Sequence, residues 1–337
     1  MATIYEVSEL AGVSLATVSR VMNNSGRVSE KTRERVLAAM AELDYEPNQI
    51  AQSLASNRSN CVGVLVSEMK GPIFGSMLGA IEDELRKAGK FALFAAGHSD
   101  AEKEKEGIRF LASRKCDALI LHVEALSSQF FIDKRDSLLP FVLINREAEG
   151  LHDRCISLDN EQGGYQATLH LLELGHRKIG YISGPLQWAD ALARLNGHKR
   201  ALAEFDVQWD PRLLAEGDYL ESSGSQCASD LLQKEPDLTA MVCANDEMAA
   251  GAMEAIRAGG RSIPEDISIV GFDNVRWARF LYPKLTTINY PVTDMSRMAV
   301  QWVLKNVYGD KSLELENVFQ PELVNRASSI QCPGAEG

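Results

Sequence analysis

Ile4-Tyr-Glu-Val-Ser-Glu-Leu-Ala-Gly12, running into Val13-Ser-Leu-Ala-Thr-Val-Ser-Arg-Val-Met22, is the stretch on which the reading of this chain turns. It predicts two short helices joined by a tight turn, with Ala11 and Gly12 as the small residues the turn needs. Val7, Leu10, Val18 and Val21 recur at helical spacing and make one apolar face. Leu15, Ala16, Thr17, Ser19 and Arg20 are left pointing outward. Such a pair sets its second helix into the major groove of DNA. Arg20 suits a two-pronged contact with guanine, while Ser14, Thr17 and Ser19 suit phosphates or base edges. The plainer alternative is a three-helix cap with a solvated polar face.

A third helix is expected over 29–43, where Val36, Met40 and Leu43 share a face, Ser29 caps the start and Thr32 closes the first turn. Pro47 prevents its continuation. Residues 48–56 are helix-capable but too short to hold alone in water, and 57–60 read as a linker. The first unit is therefore placed at 1–46 and a hinge with linker at 47–60.

From residue 61 the rhythm changes. Short β-rich runs at 62–66, 91–95, 118–121, 141–144, 179–182, 240–243 and 267–271 alternate with amphipathic stretches at 74–87, 101–113, 162–174, 192–205, 223–234 and 247–258. Strand–helix alternation predicts parallel sheets with helices on both faces, and ligands at the carboxyl ends of the strands. The fold class is thus an all-α helix-turn-helix head followed by an α/β core of two doubly wound lobes. The last residues, 331–337, read as a disordered tail.

Charge narrows the function. The chain carries a net charge of −12 over 337 residues, and residues 1–60 hold seven acids against six Lys and Arg. Electrostatic attraction alone cannot carry DNA affinity here; groove contacts, phosphate contacts from hydroxyls and backbone, and two heads acting together must do so. No apolar run approaches the roughly 20 residues needed to cross a bilayer, and no secretory signal stands at the N-terminus, so a cytoplasmic, operator-associated protein without membrane contact is expected. Six cysteines are scattered without a metal-binding spacing, which predicts buried free thiols and no metal site. No nucleophile elbow, phosphate-binding loop, dinucleotide fingerprint or zinc-protease motif occurs, so no catalytic residue, cofactor or enzymatic role is expected. His198 is expected on a helix surface.

Several blocks together resemble the LacI/GalR family of bacterial transcription repressors: residues 3–23, Tyr45-Glu-Pro-Asn-Gln-Ile-Ala-Gln-Ser-Leu-Ala55, Gly184-Pro185, Arg194-Leu-Asn-Gly197, Ala244-Asn-Asp-Glu-Met-Ala249, Ile269-Val-Gly-Phe-Asp273 and Leu285-Thr-Thr-Ile-Asn-Tyr-Pro291. The resemblance spans residues 3 to about 325. It implies that Leu15 and Ala16 choose operator bases, here by van der Waals contact such as with a thymine methyl. Thr3, Tyr5, Ser14, Thr17, Ser19, Arg20, Asn23, Ser29 and Thr32 match positions on the DNA-reading head. Asn48, Ala51 and Leu54 fall on the implied hinge helix, where Leu54 wedges into the minor groove.

The core resembles periplasmic sugar-binding proteins, with an N-lobe at about 61–160 and 291–320, a C-lobe at about 161–290 and 321–330, and crossings near 160, 290 and 320. The resemblance makes Arg194 a sugar clamp, its planar fork reaching neighbouring hydroxyls. Asp273, Asn245 and Asn145 are implied polar contacts, with strand-end capping and structural ion pairing as the alternatives for Asp273 and Arg194. Phe74, Trp188 and Tyr219 are candidate walls against sugar CH faces, and Trp277 a weaker one. The implied protein is a homodimer on a pseudopalindromic operator, released by a small sugar. Leu15-Ala16 and Leu143-Ile-Asn-Arg146 look closest to the galactose-responsive branch. The alternatives are a purine, nucleoside or corepressor ligand, a sugar-binding protein without regulatory role, and a sugar-processing enzyme on the same fold.

Overall fold

The structure, a computed structural model, describes residues 2–22, 26–45 and 58–334. The chain divides into two compact units, Met1–Cys61 and Val62–Gly337.

In the first unit α1 (Ile4–Ala11), α2 (Leu15–Met22) and α3 (Glu30–Glu42) enclose a core of Val7, Ala11, Val18, Val21, Val36 and Ala39. Local chemistry sets each boundary. Thr3 opens α1 with a reciprocal cap, accepting from the Glu6 N–H while its own N–H donates to the Glu6 carboxylate. Gly12 ends α1 at φ 61°, a left-handed backbone that glycine adopts without strain. The turn is tied by the Ser8 hydroxyl, which donates to the Val13 carbonyl at 2.6 Å. Ser29 caps α3, accepting from the Thr32 N–H. Leu10 departs from expectation. Val7 and Ala11 centre the buried stripe of α1, leaving Leu10 on its shoulder and 47% exposed.

The second unit contains two six-stranded sheets. The first has the order β2 (Phe91–Ala96), β1 (Cys61–Val66), β3 (Ala118–Leu121), β4 (Phe141–Ile144), β5 (Cys155–Leu158), β11 (Val318–Phe319). The second runs β7 (Leu214–Glu216), β6 (Ile179–Ser183), β8 (Ala240–Cys243), β9 (Ser268–Asp273), β10 (Thr286–Asn289), β12 (Glu322–Val324). The registered pairs in both are parallel except β10 with β12, where Ile288 opposes Leu323 in an antiparallel edge. Parallel strands covered on both faces need continuous apolar runs, and β3, β4, β6, β8 and β9 are buried at every position.

The principal helices of this unit are α4 (Pro72–Lys87), α5 (Ala101–Ser113), α6 (Ser128–Asp133), α7 (Asn160–Glu173), α8 (Ala189–Glu204), α9 (Glu221–Lys234), α10 (Asp246–Ala258) and α11 (Val292–Asn306). The chain passes between the sheets three times: from β5 into α7, from β10 into α11, and from β11 to β12.

Two expectations are corrected here. His198 is fully buried, because its imidazole fills the space between Thr168, whose hydroxyl lies 2.8 Å from Nδ1, and the Tyr181 and Trp209 rings. The tail does not come free at 331, since the Cys332 N–H donates to the Leu174 carbonyl at 2.7 Å and the Ile330 N–H to Ser268.

Candidate functional site

The polar face of α2 is built from short-range contacts. The Ser14 hydroxyl lies 2.9 Å from the Thr17 hydroxyl and accepts from the Thr17 N–H, so both groups sit at the start of the helix. Leu15, Ala16 and Arg20 are exposed, Thr17 and Ser19 half-buried, while Val18 and Val21 face the core. Tyr5 on α1 is 66% exposed, and Ser29 and Thr32 share a 2.8 Å hydroxyl contact at the start of α3. Thr3 spends its hydroxyl on the cap of α1, accepting from the Glu6 N–H and donating to the Glu6 carboxylate. Asn23, Asn48, Ala51 and Leu54 lie outside the described residues.

In the second unit a cavity of about 640 Å³ opens at the carboxyl ends of both sheets. Phe74, Asn145, Trp188, Arg194, Tyr219, Asn245 and Asp273 all line it. Trp277 does not; it packs against the apolar core beneath β8 and β9. The backbone at this rim is unusual. Asn145, Tyr219 and Asp273 have φ of 56°, 70° and 108°, a region that costs about 1–3 kcal/mol for a residue with a side chain. Such strain persists where neighbouring structure enforces it.

Arg194, on α8, is only 3% exposed. Its Nε donates to Asn160 Oδ1 at 2.9 Å and its Nη1 to the Ala244 carbonyl at 2.6 Å. Asp190 stands 3.6 Å from Nη2 and Asp273 3.9 Å from Nη1, and the guanidinium lies over the Phe272 ring at 3.8 Å. Burial opposes its charge, but Tyr219, Asp190 and Asp273 outweigh burial and hold its pKa above the usual guanidinium value. Asn160 carries the network across the lobes, donating to Asn145 Oδ1 at 3.0 Å.

Around this cation the acids are pushed up. Burial raises Asp273 well above the ordinary carboxylate range, with Arg194 only partly offsetting it. Burial also pushes Asp246 up to about 7. Asp246 accepts from the Thr287 hydroxyl at 2.6 Å and the Val275 N–H at 2.9 Å, so it fixes the turn that follows Asp273. Asn245 caps α10, accepting from the Met248 N–H at 2.9 Å while its amide donates to the Tyr219 carbonyl at 2.9 Å. Two of its hydrogen-bonding positions are therefore committed within the protein.

The aromatic walls are positioned as closely. Trp188 and Tyr219 stack at 5.8 Å between centroids, and the Tyr219 hydroxyl donates to Asp190 at 3.2 Å. A Cβ on Gly184 would stand 2.2 Å from the Tyr219 ring, so only glycine permits that placement. Phe74 meets His122 edge-on at 5.4 Å. Sequence reasoning missed Asn160, Asp190, His122, Glu124, Glu247 and Tyr290. Most of them follow a strand at its carboxyl end, a signal available from the strand list alone.

A helix-turn-helix head and a two-lobed core with a polar cleft are the parts of a DNA-binding regulator. The chain belongs to the LacI/GalR family of bacterial transcription repressors. Residues 3–48 match the family described as bacterial regulatory proteins, lacI family, and residues 168–329 the periplasmic binding protein-like domain. The HTH-type transcriptional regulator GalR of Escherichia coli (strain K12) is 39% identical over 336 residues, covering 100% of this chain and 98% of that protein. The HTH-type transcriptional repressor PurR of Aliivibrio salmonicida (strain LFI1238) is 37% identical over 331 residues, covering 97% and 99%. Among solved structures, the lac repressor dimer bound to operator and the anti-inducer ONPF superposes with a TM-score of 0.86 at 32% identity, covering 98% of this chain and 99% of that one. The protein is a DNA-binding transcriptional repressor, and not an enzyme.

Proposed function

We propose that the protein is a homodimeric repressor of a pseudopalindromic operator, and that a small sugar, a galactoside or related hexose, releases it by binding in the cleft. The observation that carries this reading is the convergence of one buried guanidinium, two carboxylates and the Trp188–Tyr219 and Phe74 walls on a single cavity. Vicinal hydroxyls need paired donors and acceptors, and pyranose CH faces need rings; both stand here. Arg194, Asp273, Asn145 and Asn245 are the polar contacts in this reading, and Phe74, Trp188 and Tyr219 the apolar ones.

On the head, Leu15 and Ala16 read bases by apolar contact. Tyr5, Ser14, Thr17, Ser19, Arg20, Asn23, Ser29 and Thr32 hold phosphates and base edges. Asn48, Ala51 and Leu54 act in the hinge at the operator centre. Two heads on half-sites about one turn apart supply affinity that a near-neutral head lacks alone. A sugar that favours the core geometry in which the hinges part weakens operator binding by its differential affinity for the two geometries. The E. coli relative is a GalR, and the solved relative is a dimer on operator, which supports both parts.

Titration of a fluorescent operator fragment at fixed salt, with galactose, glucose, guanine or hypoxanthine added, tests the reading. Galactose or a related hexose is expected to raise the operator Kd. Tighter operator binding with a purine would replace this reading with a corepressor one.

A further inference from the structure

The charge of the cleft selects among sugars. Six carboxylic acids line it, Glu68, Glu124, Asp190, Asp218, Glu247 and Asp273, against two cations, Lys70 and Arg194. Lys70 is exposed, and Arg194 already donates to Asn160 and Ala244 with acids on both sides. A phosphate or carboxylate could take a two-pronged contact from Arg194 only by displacing those partners.

Helix N-termini, the other common anion sites, are also taken. α10 is capped by Asn245. α8 carries Asp190 in its first turn, accepting from the Ala191 N–H at 2.8 Å. α4 starts at Gly71 without a side-chain cap, yet a Cβ there would lie 3.7 Å from a Glu247 oxygen, so a carboxylate already faces it.

Two polar groups on the cavity lining are still open. Glu124 follows β3 in the other lobe, and its loop is pinned by Glu104, a buried carboxylate accepting from the N–H groups of Glu124, Ala125 and Leu126 at 2.9, 3.0 and 2.8 Å. The Glu124 carboxylate itself accepts no hydrogen bond among the described residues; His122 Nε2 stands 3.7 Å away. The Tyr290 hydroxyl, in a residue only 5% exposed, has no partner either. Burial holds the Glu124 carboxyl well above its ordinary pKa, with Asp190 adding to this and Arg146 opposing it. An orphaned phenol and an open carboxyl on a cavity lining are complemented by a ligand hydroxyl.

We propose that the effector carries no negative charge, because the cation and the helix N-termini of the cleft are already engaged, and that Glu124 meets a ligand hydroxyl: the cleft accepts a neutral or amino-bearing sugar and rejects its phosphorylated or carboxylated counterpart. This rests on the sugar reading above. The Glu124 carboxyl, from the lobe opposite the Arg194 clamp, and the Tyr290 hydroxyl, from the same lobe as Arg194, meet ligand hydroxyls.

Calorimetric titration of the full-length protein with galactose, glucose, galactosamine, their 6-phosphates and the corresponding uronic acids tests it. At least one neutral or amino sugar binds, and its anionic counterpart binds about 100-fold or more weakly. Glu124→Ala, with folding checked by thermal unfolding, weakens binding of that sugar by about tenfold, because a ligand hydroxyl loses its partner. Equal or tighter binding of a phosphate or uronate by the wild-type protein overturns the proposal and leaves the sugar reading standing. Unchanged sugar affinity in Glu124→Ala removes Glu124 from it. Binding of none of these sugars overturns the sugar reading and this inference together.

Discussion

The head and the cleft are built on opposite principles. On the head, hydrogen bonds are local: Thr3 with Glu6, Ser14 with Thr17, Ser29 with Thr32, each within one helical turn. Its described apolar core is six small or medium residues, and Leu15, Ala16 and Arg20 stand exposed outside it. In the cleft the bonds are long-range. Arg194 reaches Asn160 and Ala244, Asp246 reaches Thr287 and Val275, and acids are held well above their ordinary pKa values by burial. A surface set by local caps keeps its shape whatever happens elsewhere, which suits an address. A network spanning many elements, with three strained backbone positions, is sensitive to what enters it, which suits a sensor.

The largest expected effect breaks the sensor alone. Arg194→Ala is expected to weaken sugar binding by about 100-fold or more while operator binding without sugar survives, because the guanidinium also organises Asn160, Asp190 and Asp273. Calorimetry and operator titration read the two halves separately. Leu54→Ala makes the converse break. Operator affinity falls about tenfold or more as the minor-groove wedge is lost, and sugar affinity stays put. If either variant damages both functions equally, the two regions are not separable as described.

A smaller effect concerns pH. Burial pushes His122 down to about 4 and His198 down to about 3. Both are neutral in the fold, whereas in the unfolded chain they titrate near 6.5. Between those values the unfolded chain binds more protons, so their contribution is complete above pH 6.5 and is lost as the pH falls toward 4 and 3. His198→Asn, which keeps a polar atom toward Thr168, is expected to flatten that acid slope by about one proton in denaturation curves of the core. An unchanged slope places the protons elsewhere. The smallest effect sharpens the description of the head: Ser29→Ala is expected to cost about 1 kcal/mol of head stability, read by helical circular dichroism on heating.

Legibility in the sequence divides along the same line. The head was readable because its signals are local: Ser29 and Thr32 announce a helix start, and Gly12 a left-handed turn. Strands β3, β4 and β8 were readable as unbroken apolar runs. Strands β5 and β10 were not, since Ser157, Thr286 and Thr287 interrupt the pattern. Their hydroxyls find partners far along the chain: Ser157 donates to the Asn317 carbonyl, Thr286 to Asn325 and Thr287 to Asp246. Helix α11 went unread although it opens directly after Pro291. His198 was misplaced for the same reason: its partners Thr168, Tyr181 and Trp209 are distant in sequence. In the cleft, seven residues named from the resemblance line the cavity and the eighth, Trp277, does not, whereas Glu124 and Tyr290 carry no local signal beyond standing just after β3 and β10.

The central claim is that occupancy of the cleft and occupancy of the operator are one coupled equilibrium. Measuring the sugar Kd of the full-length protein free and saturated with operator tests this most directly. The account predicts that operator weakens sugar binding by the same factor by which sugar weakens operator binding. A sugar Kd that operator leaves unchanged, beside an operator Kd that sugar shifts, would contradict it.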